Sequence, residues 1–338
     1  MTDPLLDTLR ELLAIPSPTG MTDDMADMVA DRLSRAGLAI TRSNRGAVRA
    51  RWDGQSSRRI GISAHLDTLG AMIGHMPASG RPELLPIGTW SARFAEGARA
   101  SVFTRTGDVI RGTILPRRAS GHRYGNAVDK QPTRWDNLEL RLDTDDTATV
   151  TTGDYVALDP GLEITPNGFI NARYLDNKAG IACLLSAIEQ MKAAGDTPKH
   201  SLDFLFPVTE ETGTGASHMA DGLDDLIALD IAIIAPEQAS HPTGVTLIAM
   251  DSGGPYDRKL TASLRRLCER DGITHSVDVL RHYYSDTYPA TLSGADIRCA
   301  AIGFACDASH GWERTTRASL TETTRLLTSL LRNGLDGD

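Results

Sequence analysis

The sequence of 338 residues is long enough for about two ordinary domains. Its 35 Lys and Arg against 44 Asp and Glu leave a formal charge of −9, and 41% of the residues are hydrophobic. That balance excludes a disordered chain, a collagen and a simple disulfide scaffold, and it argues against nucleic acid as a partner, because phosphate binding needs clustered Lys and Arg. No apolar run approaches the ~20 residues that cross a bilayer. The N-terminus carries acids where a secretory signal would need a basic and then an apolar block. Cys183, Cys268, Cys299 and Cys306 sit in apolar contexts with no CxxC pair, as reduced thiols do. The expected location is the cytoplasm, away from membranes.

In chain order, Asp3-Pro-Leu-Leu-Asp-Thr-Leu-Arg-Glu-Leu-Leu reads as a short helix with Asp3 as N-cap and Pro4 in its first turn. Pro16-Ser-Pro-Thr-Gly20 ends it. A second helix is predicted from about Asp23 to Ala36, closed by Gly37. Residues 59–65 then read as a short buried strand running into His65-Leu-Asp67-Thr. Open α/β sheets place their ligands at such strand ends. Between about Leu69 and Phe169 the texture changes, with frequent Gly and Pro, short β-prone runs and closely spaced turn signals, which predicts a small β-barrel or sandwich. After Asp176 helices and strands alternate again. Helices are predicted over 176–194, 257–270 and 317–331, and strands over 201–206, 227–235 and 245–250. The expected architecture is an α/β domain of residues 1–68 and 170–338, interrupted by a β domain of residues 69–169.

Four short strings place metal-ligating side chains at predicted strand ends. In Ser63-Ala-His65-Leu-Asp67, His65 and Asp67 point to the same side of an extended segment, and a ligating His commonly needs a partner on its other nitrogen. In Tyr174-Leu-Asp176-Asn-Lys178, Asp176 is suited both to cap the following helix and to bridge two metal ions. In Phe206-Pro-Val-Thr-Glu210-Glu211, a buried strand runs into two like charges, which are costly side by side unless cations or protons neutralise them. An exposed pair at a helix start would carry no such cost. Cys306-Asp-Ala-Ser-His310 places a lone His after a short apolar strand, in a position that serves either structure or ligation.

Taken in order, the four strings are far more specific than any one of them, and the sequence resembles the M42 family of metalloaminopeptidases, among the co-catalytic two-metal exopeptidases. The resemblance runs nearly the whole chain and includes Val109-Ile-Arg-Gly-Thr-Ile114, Gly153-Asp154-Tyr-Val156 and Leu292-Ser-Gly-Ala-Asp296. It implies a mixed-sheet α/β/α catalytic domain with an inserted β-barrel-like dimerisation domain, assembled as dimers and up to dodecamers. Gly88-Thr-Trp90-Ser-Ala-Arg-Phe94 and Asp307-Ala-Ser-His310-Gly-Trp-Glu-Arg-Thr315 further resemble a branch associated with an N-acetylglutaminylglutamine amide osmoprotectant system.

The same resemblance implies a role for each string. His65 would bind the first metal with Asp67 orienting it, Asp176 would bridge both metals, and Glu210 would be the general base. Glu211 and His310 would bind the second metal. The family's remaining Asp has no match at the end of the strand 227–235, where Ala235 stands. The candidates in its place are Glu237, on the same face if the chain stays extended, and Asp251. Such N/O ligands suit two Zn²⁺ ions, and Co²⁺ or Mn²⁺ could occupy the same set. The implied activity is hydrolysis of the N-terminal amide bond of a short peptide, or of a small peptide-like amide, by metal-activated water. Two other readings remain open: a deacylase or amidohydrolase on the same core, and an assembly protein that has lost its metal.

Overall fold

A computed structural model describes residues 3–335. Helix α1 (Pro4–Ala14) begins as its sequence requires, with the Leu5 amide donating to the Asp3 carboxylate at 3.2 Å and Pro4 in the first turn. Helix α2 (Asp23–Arg35) carries acids in its first turn and arginines in its last, complementing its dipole. Strands β1 (Ala39–Arg42), β2 (Val48–Trp52) and β3 (Ser56–Ser63) then start a large sheet.

The change of texture after Leu69 corresponds to a second sheet. It comprises β4 (Gly70–His75), β5 (Glu83–Ile87), β6 (Arg99–Phe103), β7 (Val109–Pro116), β8 (Leu138–Leu142) and β9 (Tyr155–Leu158), with a single helical turn, α3 (Gly121–Tyr124), before β8. The six strands run antiparallel in the order β5-β4-β9-β6-β7-β8. The Leu140 amide donates to the Pro82 carbonyl at 3.0 Å, which draws the two edges together and curls the sheet. Ile73, Leu84, Val102, Ile114, Leu140 and Val156 fill a core of its own. The chain leaves this sheet earlier than the texture suggests, because β10 (Glu163–Ile164) and β11 (Phe169–Ala172) already pair within the large sheet.

The remainder alternates: α4 (Leu175–Ala193), β12 (His200–Phe206), β13 (Asp225–Ile234), β14 (Val245–Asp251), β15 (Gly254–Pro255), α5 (Arg258–Asp271), β16 (His275–Val279), α6 (Thr287–Leu292), β17 (Arg298–Asp307), β18 (Glu313–Thr316) and α7 (Arg317–Asn333). The large sheet is mixed and 12-stranded, with a main path β1-β2-β12-β3-β13-β17-β18-β11-β10. Strands β12, β3, β13 and β17 are mutually parallel, so their carboxyl ends share one edge. Every residue of β12 is buried, as in parallel strands covered on both faces. Alternate residues of β13 divide between two cores: Ile227, Leu229 and Ile231 join the side chains of α1, α4 and α7, while Ala228 packs with Ile248, Leu280 and Ala301. Among the described residues no helix is long and apolar enough to cross a membrane.

Candidate metal centre

Three of the four strings converge at the shared strand edge, and the fourth meets them from the start of α4. His65 and Asp67 follow β3, Glu210 and Glu211 follow β12, and His310 follows β17. Asp176 stands at the centre with its two oxygens facing different imidazoles. Its Oδ1 lies 3.0 Å from His65 Nε2, and its Oδ2 lies 3.6 Å from His310 Nε2. On the first side, His65 Nε2 also faces Glu210 Oε2 at 3.8 Å and Asp230 Oδ1 at 4.0 Å. On the second, His310 Nε2 faces Glu211 Oε2 at 3.6 Å. His65, Asp176 and Glu211 bring ligand atoms within 4.8 Å of one another.

Backbone groups aim both histidines. His65 Nδ1 donates to the Asp67 carbonyl at 2.9 Å, and His310 Nδ1 to the Thr89 carbonyl at 2.9 Å. Each imidazole therefore turns its Nε2 towards carboxylates, with His65 Nε2 donating to Asp176 Oδ1 at 3.0 Å, and the same nitrogens suit a cation that would replace those protons. The Asp67 carboxylate accepts the backbone amides of Glu210 (3.0 Å) and Glu211 (3.2 Å) and the Thr19 hydroxyl (2.7 Å), so it shapes the glutamate loop as well as neighbouring His65. Glu313 plays a comparable part across the site, accepting the Asp176 amide at 3.0 Å and the His310 amide at 3.1 Å. At the head of α4, Asp176 and Asn177 keep non-helical backbone angles, and Asn177 Nδ2 donates to the Leu229 carbonyl at 2.7 Å.

Burial and crowding dominate the electrostatics of the cluster. Burial, reinforced by neighbouring acids, pushes the Glu210 and Glu211 carboxyls well above the ordinary range. Burial and then the charge of Asp176 raise Asp230 to about 7 and Glu313 to about 8, and burial raises Asp286 to about 6. His65 moves up despite its burial, because Glu210, Asp176 and Asp67 surround it. Elsewhere in the sheet, buried acids meet guanidinium groups: Asp203 pairs with Arg49 and Arg59, and Asp225 with Arg58 and Arg298. Among the described residues, Asp67, Asp176, Glu210, Glu211 and Asp230 pair with imidazoles alone. Asp286, at the head of α6, is buried beside the Ser63 hydroxyl. This donor set of two imidazole nitrogens and clustered carboxylate oxygens fits divalent ions such as Zn²⁺.

One expected ligand lies elsewhere. Glu237 does not reach the cluster: it is exposed, at φ 71° in the turn after β13. The acid beside His65 is Asp230, five positions before Ala235, which at ~3.3 Å per residue displaces the expected position by roughly 16 Å. The Asp230 Oδ1 accepts the Ile231 amide at 2.7 Å, and its Oδ2 accepts the Ser285 hydroxyl at 2.6 Å. Asp251 is engaged by the Tyr256 hydroxyl at 2.6 Å and the Gly253 amide at 2.7 Å. Asp230, Glu313 and Asp286 were absent from the sequence-derived set. The available signal for Asp230 was an acid inside an otherwise apolar strand, Ile227-Ala-Leu-Asp230-Ile-Ala-Ile-Ile234.

Comparison with known proteins places this geometry in context. The family model described as M42 glutamyl aminopeptidase matches residues 46–326. The Bacillus subtilis (strain 168) protein YhfE is 34% identical over 331 residues, covering 95% of each chain. The fold matches aminopeptidase APDkam598 from the archaeon Desulfurococcus kamchatkensis with a TM-score of 0.88 at 21% identity, over 99% of this chain and 98% of that one. It also matches the Pyrococcus horikoshii TET1 peptidase, which can assemble into a tetrahedron or a large octahedral shell, with a TM-score of 0.87 at 18% identity, over 97% and 99% of the two chains.

Proposed function

The chain belongs to the M42 family of aminopeptidases and is a peptidase hydrolase, and we propose that it removes N-terminal residues from short peptides with two divalent ions. The observation that carries this reading is the Asp176 carboxylate, whose two oxygens face two different histidines. A carboxylate so placed is suited to bridge a pair of cations. His65, Asp230 and Asp176 would hold one ion, and Asp176, Glu211 and His310 the other. Zinc is the natural occupant of this donor set, and Co²⁺ or Mn²⁺ could take its place. Bound there, the ions would lower the pKa of a water and polarise the scissile carbonyl.

The protein's own groups supply the rest. Glu210 stands beside the His65 side of the site, a position that suits it to take a proton from the attacking water and deliver it to the departing amine. Asp67 holds the Glu210 and Glu211 amides, so base and ligand keep their spacing. The curled sheet is proposed to mediate self-association into dimers and larger particles, since it carries a core separate from that of the large sheet. The test is metal analysis of the purified protein and of Asp176→Asn, with hydrolysis of aminoacyl amides and of their N-acetylated forms. We expect two ions in the wild type, loss of both on substitution, and cleavage of free-amine substrates. Cleavage of the N-acetylated forms instead would favour a deacylase, and a metal-free, inactive wild type would favour an assembly protein.

A further inference from the structure

The two histidines at the centre are secured differently, and the difference points to a part for the curled sheet. His65 is tied by a carbonyl two residues away in its own loop, but the acceptor for His310 Nδ1 is Thr89, 221 positions distant. Thr89 lies in the connection between β5 and β6, so it comes from the other sheet. Three neighbours fix this connection. Gly88, at φ +79°, packs so closely that a Cβ there would stand 2.5 Å from Leu69 Cδ2 and 3.4 Å from the Glu211 carbonyl oxygen. The Trp90 indole donates to the Gly70 carbonyl at 3.1 Å, and its ring stands edge-on to Trp135 with centroids 4.7 Å apart. Beyond it, the Phe94 ring closes on Gly311, where a Cβ would meet it at 2.8 Å.

We propose that Gly88 and Thr89 form a strap from the curled sheet that positions His310 and Glu211 for the second ion. These are positioning residues, because they act through the ligands. A carbonyl on Nδ1 holds the proton there and leaves the Nε2 lone pair for a cation, while Gly88 lets the strap lie against Leu69 and beside the Glu211 backbone. Glu313 holds the His310 backbone amide, but the imidazole itself is 38% exposed, against 1% for His65, so the Thr89 carbonyl is what orients the ring. The second ion's affinity therefore depends on a segment outside the large sheet. The inference rests on the two-ion reading above.

The test compares Gly88→Ala with Gly97→Ala in the full-length protein. Both glycines have a left-handed backbone, at φ +79° and +81°, but a Cβ on Gly97 meets nothing within 4 Å. The two variants thus share the conformational cost, and one alone pushes on the strap. Zinc titration by calorimetry, with metal counting after dialysis, reads the effect independently of turnover. Loss of a positioning partner typically weakens metal affinity 10–100-fold. We expect a loss of about that size for one of two ions in Gly88→Ala, with both retained in Gly97→Ala and in the wild type. Visible spectra of the Co²⁺-loaded proteins should show the change at one site only. If Gly88→Ala does not fold, Trp90→Phe, which keeps an aromatic ring but loses the bond to Gly70, decides by the same titration. Equal affinities in strap variant and control, beside a two-ion wild type, would overturn the strap and leave the metal reading standing. A wild type that binds no ion would overturn the metal reading, and the strap with it.

Discussion

One sheet holds two sets of buried acids, and they are neutralised in opposite ways. Asp203 and Asp225 each meet two arginines at 2.7–2.8 Å, completing ion pairs within the protein. At the carboxyl edge, Asp176, Glu210, Glu211 and Asp230 crowd around two imidazoles, and Asp286 is buried nearby with no cationic partner but His65. Buried charge is tolerated when paired: His65 keeps Asp176 ionised, while burial favours the protonated forms of Glu210, Glu211 and Asp230. The first set is complete within the fold. The second is the set that the proposed ions would neutralise.

The most severe way to break this contrast leaves the cluster's metal untouched. Glu210→Gln keeps the side chain's shape but removes the oxygen that accepts a proton, so kcat should fall about 10²–10⁴-fold while metal content stays at the wild-type level. Retention of near-normal kcat would remove Glu210 from the base role. The next comparison sets the two classes of acid directly against each other. Asp225→Ala removes the buried carboxylate that Arg58 and Arg298 share, and should lower stability in denaturant unfolding while metal content stays at the wild-type level. Asp230→Asn should lose one ion yet raise the Tm of the metal-free protein, since Asn can still accept from Ile231 and removes a charge that burial disfavours. Glu237→Ala should change neither quantity. If Asp230→Asn destabilised the metal-free protein as much as Asp225→Ala does, the two acids would belong to one class.

The sequence makes strand ends legible better than strand interiors. His65, Asp176, Glu210, Glu211 and His310 lie at junctions where polar strings interrupt apolar runs, and the structure brings all five together. Asp203, Asp225 and Asp230 all lie within strands of the large sheet. Telling an arginine-paired acid from an unpaired one requires the neighbouring strands, because Arg58 is 167 positions from Asp225 and His65 is 165 before Asp230. The curled sheet was legible from its turns and short β runs. Its strap was not, since the bond from His310 to Thr89 ends on a backbone carbonyl, which no side chain announces.

A change of pH sharpens the contrast without any substitution. In the metal-free protein Asp286, Asp230 and Glu313 hold their protons to about 6, 7 and 8, whereas carboxyls in the unfolded chain release theirs near 4. Below about pH 4 these groups are protonated in both states and their contribution is fully present. As pH rises the unfolded chain loses protons that the fold retains, so stability falls, by about 1.4 kcal/mol per pH unit for each proton retained. Lys178 acts in the opposite sense, because burial lowers it to about 7 and its release of a proton favours the fold above that pH. Asp271, held near 2 by Arg270, contributes its loss in strong acid, well below the range in question. The cluster's window is therefore pH 5 to 7, where His65, raised among its carboxylates, adds to the fall and His218, lowered by burial, opposes it. Across it the chelator-treated protein should lose several degrees of Tm by calorimetry, while the Zn²⁺-saturated protein, whose carboxylates are held in the charged form, should hold level or gain. A metal-free Tm that stayed flat or rose from pH 5 to 7 would mean that these acids are neutralised within the fold, as Asp203 and Asp225 are.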